Sequence, residues 1–321
     1  MPNDPPLGMM RRVGVVGCGR WGSRHLLALQ NLTEQADIEC IVVCDIDSSA
    51  LKRIQKDSVI LHDNPATLAG KFDLDSVIIA TPNETHYELG NLFLRQGVDV
   101  FLEKPLATTF DNASSLVSTS VQEGKVLKSG FLLRFHPCIM EARKQIRTGR
   151  IGSIQSIRYC KKSRREGDAS SHVLDALAIH GIDLAEFLLD GQTPLRISEI
   201  LGSRTSCELT LEYPNQVEIQ IEAGWDSSLE VAELEVVGKN GRILVHLQHH
   251  EYYKIFNGTT SEEYVECKYS PLEAVLLDFL TADSPSLAAS TGSILRTIKC
   301  VEQARLQLSL QGRSKTRELK R

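Results

Sequence analysis

The sequence predicts an α/β chain in two parts: residues 1–130, built on a doubly wound parallel sheet, and residues 131–321, an α+β domain with a large, mainly antiparallel sheet. Three observations predict this. Short runs of valine and isoleucine alternate with helical patterns over the first 130 residues, and after residue 151 strand follows strand. A chain of 321 residues also exceeds what one hydrophobic core organises, so each half must bury a core of its own.

In the first half the apolar runs are RRVGVVG (11–17), ECIVVCD (39–45), SVIL (58–61), LDSVIIA (74–80), VDVFLEK (98–104) and VLKSGF (126–131). Most are β-branched with little alternation, as strands buried on both faces are. Between them GSRHLLALQNL (22–32), SSALKRIQ (48–55), ETHYELGNLFLRQG (84–97) and DNASSLVSTSVQEG (111–124) repeat apolar residues at three and four, the period of amphipathic helices. Alternation of this kind implies parallel strands joined by right-handed crossovers.

The second half reads as strands at SIQSIRYCK (153–161), ISEILGSR (197–204), CELTLEY (207–213), VEIQIEA (217–223), LEVAELEVVG (229–238) and RILVHL (242–247). YPNQ and GKNG mark two of the turns, and period-two alternation puts one face of the sheet inward. Helices are predicted at about 173–189, 271–281 and 291–310. The basic end GRSKTRELKR reads as a solvated tail.

Composition excludes several classes of function. The chain is 42% hydrophobic and 24% charged with a formal charge of -5, so no general attraction draws it to nucleic acid or an anionic membrane. No apolar run approaches the ~20 residues that span a bilayer. The start, MPNDPPLGMMRR, lacks the apolar core of a secretory signal, and a cytoplasmic protein is the expectation. The eight cysteines are scattered without metal-site spacing; they read as buried free thiols, and no metal is expected.

VVGCGRWG (15–22) closes the first strand and opens the first helix, the context that gives GxGxxG its meaning. Gly17 makes the tight turn, Gly19 admits a pyrophosphate without a Cβ in the way, and Gly22 lets helix and strand approach. The helix N-terminus, with Arg20 and Trp21 in its first turn, supplies free N–H groups and a positive dipole to phosphates. Asp45 ends the second strand, where an acid hydrogen-bonds the adenosine ribose and repels a 2′-phosphate. The alternative is that Asp45 caps the following helix. A Rossmann domain binding NAD, with NADP as a second possibility, is the expectation.

Further motifs follow in order: ATPNETH (80–86) after the fourth strand, EKP (103–105) after the fifth, GFLLRFHP from Gly130, GRIG (149–152) and AIHGIDL (178–184). With the glycine motif they make the chain resemble the Gfo/Idh/MocA oxidoreductases, the family of glucose-fructose oxidoreductase and inositol dehydrogenase. The resemblance runs over most of the chain. It implies a nicotinamide-dependent oxidoreductase oxidising a secondary hydroxyl of a sugar or sugar derivative. It adds Thr81, Pro82, Asn83, His86, Glu103 and Lys104 to the cofactor-binding residues.

In a doubly wound sheet ligands sit at the carboxyl ends of the strands, and Thr81, Asn83, Glu103 and Lys104 are all expected there. A lysine held there, partly desolvated beside a nicotinamide cation, loses proton affinity and polarises a substrate hydroxyl. By the resemblance, Lys104 contacts the reacting hydroxyl and Pro105 is cis. His180 then takes the hydroxyl proton while hydride leaves the same carbon for nicotinamide C4. Asp183, three residues on, either orients His180 or holds its helix to the sheet.

The sequence departs from the family at one place. Many members carry an aspartate four residues before the histidine, but here that residue is Ala176 and the acid is Asp175, five before. On a regular helix four residues leave side chains about 40° apart and five about 140°. Asp175 enters as a third catalytic candidate only if the helix begins after it.

For the substrate, KKSRRE (161–166) lies just beyond the first strand of the second domain, and Arg164 and Arg165 are candidates to grip a phosphate or diphosphate. A solvated charge run is the alternative. Arg134 and His136, in the segment joining the domains, are further substrate candidates. These residues favour a phosphorylated or nucleotide-linked sugar. Two other functions stay open: a non-catalytic dinucleotide- or sugar-sensing protein of the same fold, and a redox-neutral enzyme that recycles bound NAD. An open antiparallel sheet with apolar residues on its outer face needs covering, so a homodimer or homotetramer through the second domain is expected.

Overall fold

The first half closes its sheet in the order β3-β2-β1-β4-β5-β6, all parallel, from β1 (Arg11–Val16), β2 (Ile38–Cys44), β3 (Ile60–His62), β4 (Ser76–Ile79), β5 (Asp99–Leu102) and β6 (Leu127–Ser129). The computed structural model describes residues 10–55, 59–167, 171–281 and 287–318. The opening stretch 1–9, Ser58 and the side chains of the basic end lie outside the described residues. Val13, Val15, Val77, Ile78, Val100 and Phe101 are fully buried, which is why these strands show no alternation. The order reverses between β1 and β4, and such a switch point is where open α/β sheets bind their ligands.

Five helices complete this part: α1 (Arg20–Asn31), α2 (Ser48–Lys52), α3 (Pro65–Phe72), α4 (His86–Arg95) and α5 (Phe110–Glu123). The sequence pattern assigns nothing to α3, whose eight residues are too few to declare a period. Its local signals are nonetheless present. The Asn64 side chain accepts the Ala66 N–H at 3.0 Å, and Pro65 opens the first turn, where its missing N–H costs nothing.

The second half contains α6 (Pro137–Arg147), β7 (Ile154–Lys162), a π-helical turn (Leu174–Ala178) running into α7 (Ile179–Leu188), and β8 (Arg196–Gly202). β9 (Ser206–Glu212), β10 (Glu218–Gly224), β11 (Val231–Gly238), β12 (Gly241–His246), β13 (Tyr252–Asn257) and β14 (Thr259–Tyr264) follow. The sheet runs β14-β13-β12-β11-β7-β10-β9-β8, antiparallel except between β7 and β10. α6 and the β13–β14 hairpin are absent from the sequence expectation. The hairpin turns at Asn257–Gly258, a strong short-range signal, with Gly258 at φ +76°.

Two more helices, α8 (Pro271–Thr281) and α9 (Thr291–Glu318), divide between the halves. The chain falls into one unit of Met1–Gly130 with Leu272–Thr291 and another of Phe131–Pro271 with Gly292–Arg321. The sequence expectation places all of 131–321 in the second domain, whereas α8 belongs with the first. Asn31 donates to Glu273 at 2.8 Å, Lys128 pairs with Asp278, and Phe279 packs on Phe101 with ring centroids 5.6 Å apart. Nothing in a local helical period says which core a helix will join.

Helices α6 and α7 pack on one face of the large sheet, over Ile157, Tyr159, Ile221, Leu234, Val245 and Tyr253. The other face is not the apolar surface expected. It is laced with ion pairs: Arg158 and Lys162 each reach Glu222 at 2.7 Å, Arg242 reaches Glu235 at 3.0 Å, and Arg196 reaches Glu212 at 2.7 Å. Six of the eight cysteines are buried as expected, Cys40 is partly exposed and Cys267 is exposed. Among the described residues no helix is long and apolar enough to cross a membrane.

Candidate active site

The turn from β1 into α1 is shaped by its glycines. Gly17 has φ +93°, a left-handed conformation that side chains disfavour, and a Cβ there would lie 2.7 Å from the Ala80 carbonyl oxygen after β4. At Gly22 a Cβ would stand 1.7 Å from the Gly17 carbonyl oxygen. Gly19 differs, because nothing in the protein lies within 4 Å of a Cβ built there. Two glycines thus make the turn and the third keeps its outer side open, as a backbone that receives a pyrophosphate requires. These residues fit a dinucleotide. Trp21 lies beneath two guanidinium groups, Arg20 at 5.9 Å and Arg24 at 5.0 Å from its ring centroid.

Asp45 does not cap the next helix; Asp47 does, accepting the Ser49 N–H at 2.8 Å. The Asp45 carboxylate instead reaches the glycine turn, where Oδ2 accepts the Cys18 N–H at 2.6 Å and Oδ1 accepts the Asp47 N–H at 2.9 Å. It holds the ends of β1 and β2 together and stays partly exposed beside the turn. Burial, with Asp45 beside it, pushes the Cys18 thiol up to about 12, so the cysteine inside the motif is a protonated filler.

After β4, Thr81 and Asn83 stand partly exposed around Pro82, and the Thr81 hydroxyl meets that of Thr85 at 2.7 Å. His86 is fully buried. Its Nδ1 faces the Pro105 carbonyl oxygen at 2.8 Å and its Nε2 faces that of Thr81 at 3.0 Å. Burial pushes its pKa below the ordinary value, with the two carbonyls acting against that. Glu103 is buried as well and bonded to His25 at 2.8 Å. Both residues are expected to touch the cofactor, but their side chains are taken up inside the protein. They lie beneath the turns that carry Thr81 and Lys104, His86 on the Thr81 carbonyl and Glu103 on the Lys104 backbone N–H. The Lys104–Pro105 peptide is cis.

In the second unit, Arg134 is no open substrate ligand. It is buried, its Nε and Nη2 grip Asp183 at 3.0 and 2.7 Å, Nη2 also donates to Ser293 at 2.5 Å, and the guanidinium lies 5.2 Å from the Phe187 ring centroid. This decides the role of Asp183: it ties α7 to the chain around Arg134 and does not bond His180. Burial pushes the Asp183 carboxyl up while Arg134 opposes it. Breaking such a pair strands a buried charge, at a cost of about 3–5 kcal/mol. His136 is also buried, edge-on to His250 at 4.7 Å, and burial followed by the nearby His250 pushes it down to about 4.

His180 is partly exposed on α7, its ring edge-on to Phe131 at 6.4 Å. Its neighbour Gly181 brings the helix onto the sheet, since a Cβ there would be 2.7 Å from the Tyr159 ring. Asp175 lies within the π-helical turn Leu174–Ala178. In such a turn hydrogen bonds run from i+5 to i, so residues five apart take the stacked relation that four have in an α-helix. The extra residue implied by Ala176 is absorbed there, and Asp175 returns toward the His180 side of the helix. Its carboxylate is gripped by Arg305 of α9 at 2.5 Å, a partner 130 positions along the chain that sequence inspection cannot pair with it.

The basic run is largely answered within its own unit. Lys161 pairs with Glu230 at 3.1 Å, Lys162 with Glu222, and Arg164 donates to the Ser228 carbonyl at 3.2 Å while its backbone N–H binds Glu230. Arg165 is exposed.

The glycine turn, the Asp45 anchor and the Lys104 turn lie at the carboxyl ends of one parallel sheet. Residues 11–131 match the model of the oxidoreductase family with an NAD-binding Rossmann fold, and residues 139–244 match the GFO/IDH/MocA C-terminal domain. Inositol 2-dehydrogenase 2 of Saccharopolyspora erythraea is 28% identical over 254 residues, 74% of each chain. The solved myo-inositol 2-dehydrogenase of Lactobacillus plantarum superposes with TM-score 0.78 at 20% identity, covering 94% of this chain and 97% of the other. The 3-ketoreductase KijD10 of Actinomadura kijaniata, solved with TDP-benzene and NADP, gives TM-score 0.79 at 21% identity, covering 92% and 96%. At these identities the structures speak for the fold, while the two family models span most of the sequence. The chain belongs to the Gfo/Idh/MocA family of NAD-binding oxidoreductases.

Proposed function

We propose that the protein is a dehydrogenase of CH–OH groups that oxidises a secondary hydroxyl of an unphosphorylated cyclitol or sugar, reversibly and with NAD preferred over NADP. Lys104 polarises the hydroxyl, and His180, assisted by Asp175, takes its proton. Bound nicotinamide supplies the hydride acceptor. Gly17, Gly19 and Gly22 admit the pyrophosphate, and Asp45 meets the adenosine ribose and repels a 2′-phosphate. The observation that carries this reading is the turn after β5, where Lys104 follows a buried carboxylate at the same sheet edge as the glycine turn.

The expectation of a phosphate-bearing substrate rests on Arg164 and Arg165 together with Arg134 and His136, and the last two are buried. With Arg164, Lys161 and Lys162 engaged on neighbouring residues, a free polyol is the better-supported class. The curated relatives named inositol 2-dehydrogenases point the same way. The test is nicotinamide reduction followed by absorbance, with NAD and separately NADP, across cyclitols, free sugars, sugar phosphates and nucleotide sugars. Turnover of a free polyol with NAD preferred is expected. Turnover confined to phosphate-bearing sugars overturns the substrate class. Tight NAD binding without net turnover replaces the reading with a sensor or a closed redox cycle.

Assembly as a homodimer or homotetramer through the large sheet belongs to the same reading, with the charged side chains of that face making the contact in place of an apolar surface. Such a contact weakens as salt screens it. Light scattering is expected to show a falling mass between low salt and about 1 M, where the screening length is about 3 Å. A mass that stays constant counts against it.

A further inference from the structure

Glu103 follows β5 immediately before Lys104, and among the described residues it is one of few carboxylates with almost no exposure, 6%. Its Oε1 accepts from His25 Nε2 at 2.8 Å, and its Oε2 accepts the Lys104 backbone N–H at 3.1 Å. His25 has no exposure at all; it sits on α1 one turn beyond Trp21, with its ring edge-on to Phe101 at 5.5 Å. Gly130 closes the far side, where a Cβ would lie 3.0 Å from Glu103 Oε2.

An ionised carboxylate here needs support. Burial pushes Glu103 up, and the His25 hydrogen bond, with the nearby Lys104, more than offsets it, leaving the carboxyl below its ordinary value. The charged or titratable groups facing it are His25 from α1, His86 from α4 and Lys104 from its own turn. Coupling of this kind is mutual: whatever Lys104 does to keep Glu103 ionised, Glu103 does to keep Lys104 protonated.

We propose that His25 is a positioning residue that sets the proton affinity of Lys104 through Glu103, linking the helix that receives the dinucleotide to the turn that carries the lysine. Its functional meaning rests on the reading that Lys104 acts on the substrate hydroxyl. Without the His25 donor, the buried carboxyl takes up a proton, Lys104 loses its negative neighbour, and the ammonium gives up its proton at lower pH. Glu103→Gln removes the same charge directly. Both changes act on one path, so together they do no more than either alone.

The experiment titrates the intact protein carrying 13Cε-lysine, with the Lys104 signal identified by its loss in Lys104→Arg. The Lys104 midpoint is expected to fall by about one pH unit in His25→Leu, in Glu103→Gln and in the double variant. It is expected to return toward the starting value in His25→Gln, whose amide again offers a donor. An unmoved midpoint in Glu103→Gln, or shifts that add in the double variant, overturns the proposal. Should His25→Leu fail to fold, Glu103→Gln and His25→Gln still decide it. The pH dependence of kcat is read on the same proteins. If the Lys104 midpoint moves and the kcat profile does not, the inference stands and the assigned role of Lys104 falls. If the midpoint stays while the kcat profile moves, the inference falls.

Discussion

Replacing Lys104 by alanine lowers kcat/KM by about 10²- to 10⁴-fold, the range that a positioned acid–base group supplies, while NAD still binds. The two effects separate because they arise in different loops. In the proposed reading the pyrophosphate and the adenosine ribose are met by the turn between β1 and α1 and by Asp45, which belong to other loops than Lys104. The path of the Lys104 backbone is held by Glu103 accepting its N–H, a bond that alanine retains. Steady-state kinetics on the best polyol, beside a fluorescence titration with NADH, reads both. A loss smaller than about threefold would falsify a proton-handling role for Lys104 and return attention to the sensing alternative.

The second large effect comes from a single methyl group. Gly22→Ala places a carbon where the Gly17 carbonyl oxygen already stands, 1.7 Å from the ideal Cβ position, and the neighbouring Gly17 carbonyl carbon is 2.8 Å away. Both obstacles are backbone, so no side chain can swing aside. Either α1 lifts from the sheet edge or the turn opens, and the N–H groups that receive the pyrophosphate are lost. NAD affinity is expected to fall by at least about 100-fold, with about 3 kcal/mol of stability lost as in other overpacked cores. Gly19→Ala is the contrast: its Cβ meets nothing in the protein, so stability holds and only dinucleotide binding weakens. Calorimetric titration with NAD and urea unfolding of both variants distinguish them. Wild-type affinity in Gly22→Ala sinks the account of this turn.

Much of this was legible before any coordinates, and the reason is locality. The parallel sheet announces itself because strands buried on both faces need unbroken apolar runs, as 77–79 and 100–102 are. The glycine turn announces itself because no other residue adopts φ +93° at Gly17 or clears a carbonyl at Gly22. Short elements were harder. At eight residues α3 has no measurable period, and the β13–β14 hairpin carries only its Asn257–Gly258 turn as a local signal, between short strands with little apolar pattern.

The candidate site divides along the same line. Sequence alone determined where the dinucleotide turn, the acid at the end of β2 and the lysine after β5 stand, since each is set by a strand end and the residues beside it. Tertiary structure alone decided what the charged side chains do. Arg134 and Asp183 neutralise each other in the core, Glu103 turns inward to His25, Asp175 finds Arg305 far along the chain, and α8 joins the first unit. A charge in a sequence does not declare its partner, because burial makes pairing obligatory and the partner is whichever group the fold brings near. The π-helical turn beneath Asp175 is of the same kind: an extra residue is visible in the sequence, but where the helix absorbs it is settled by packing around α7.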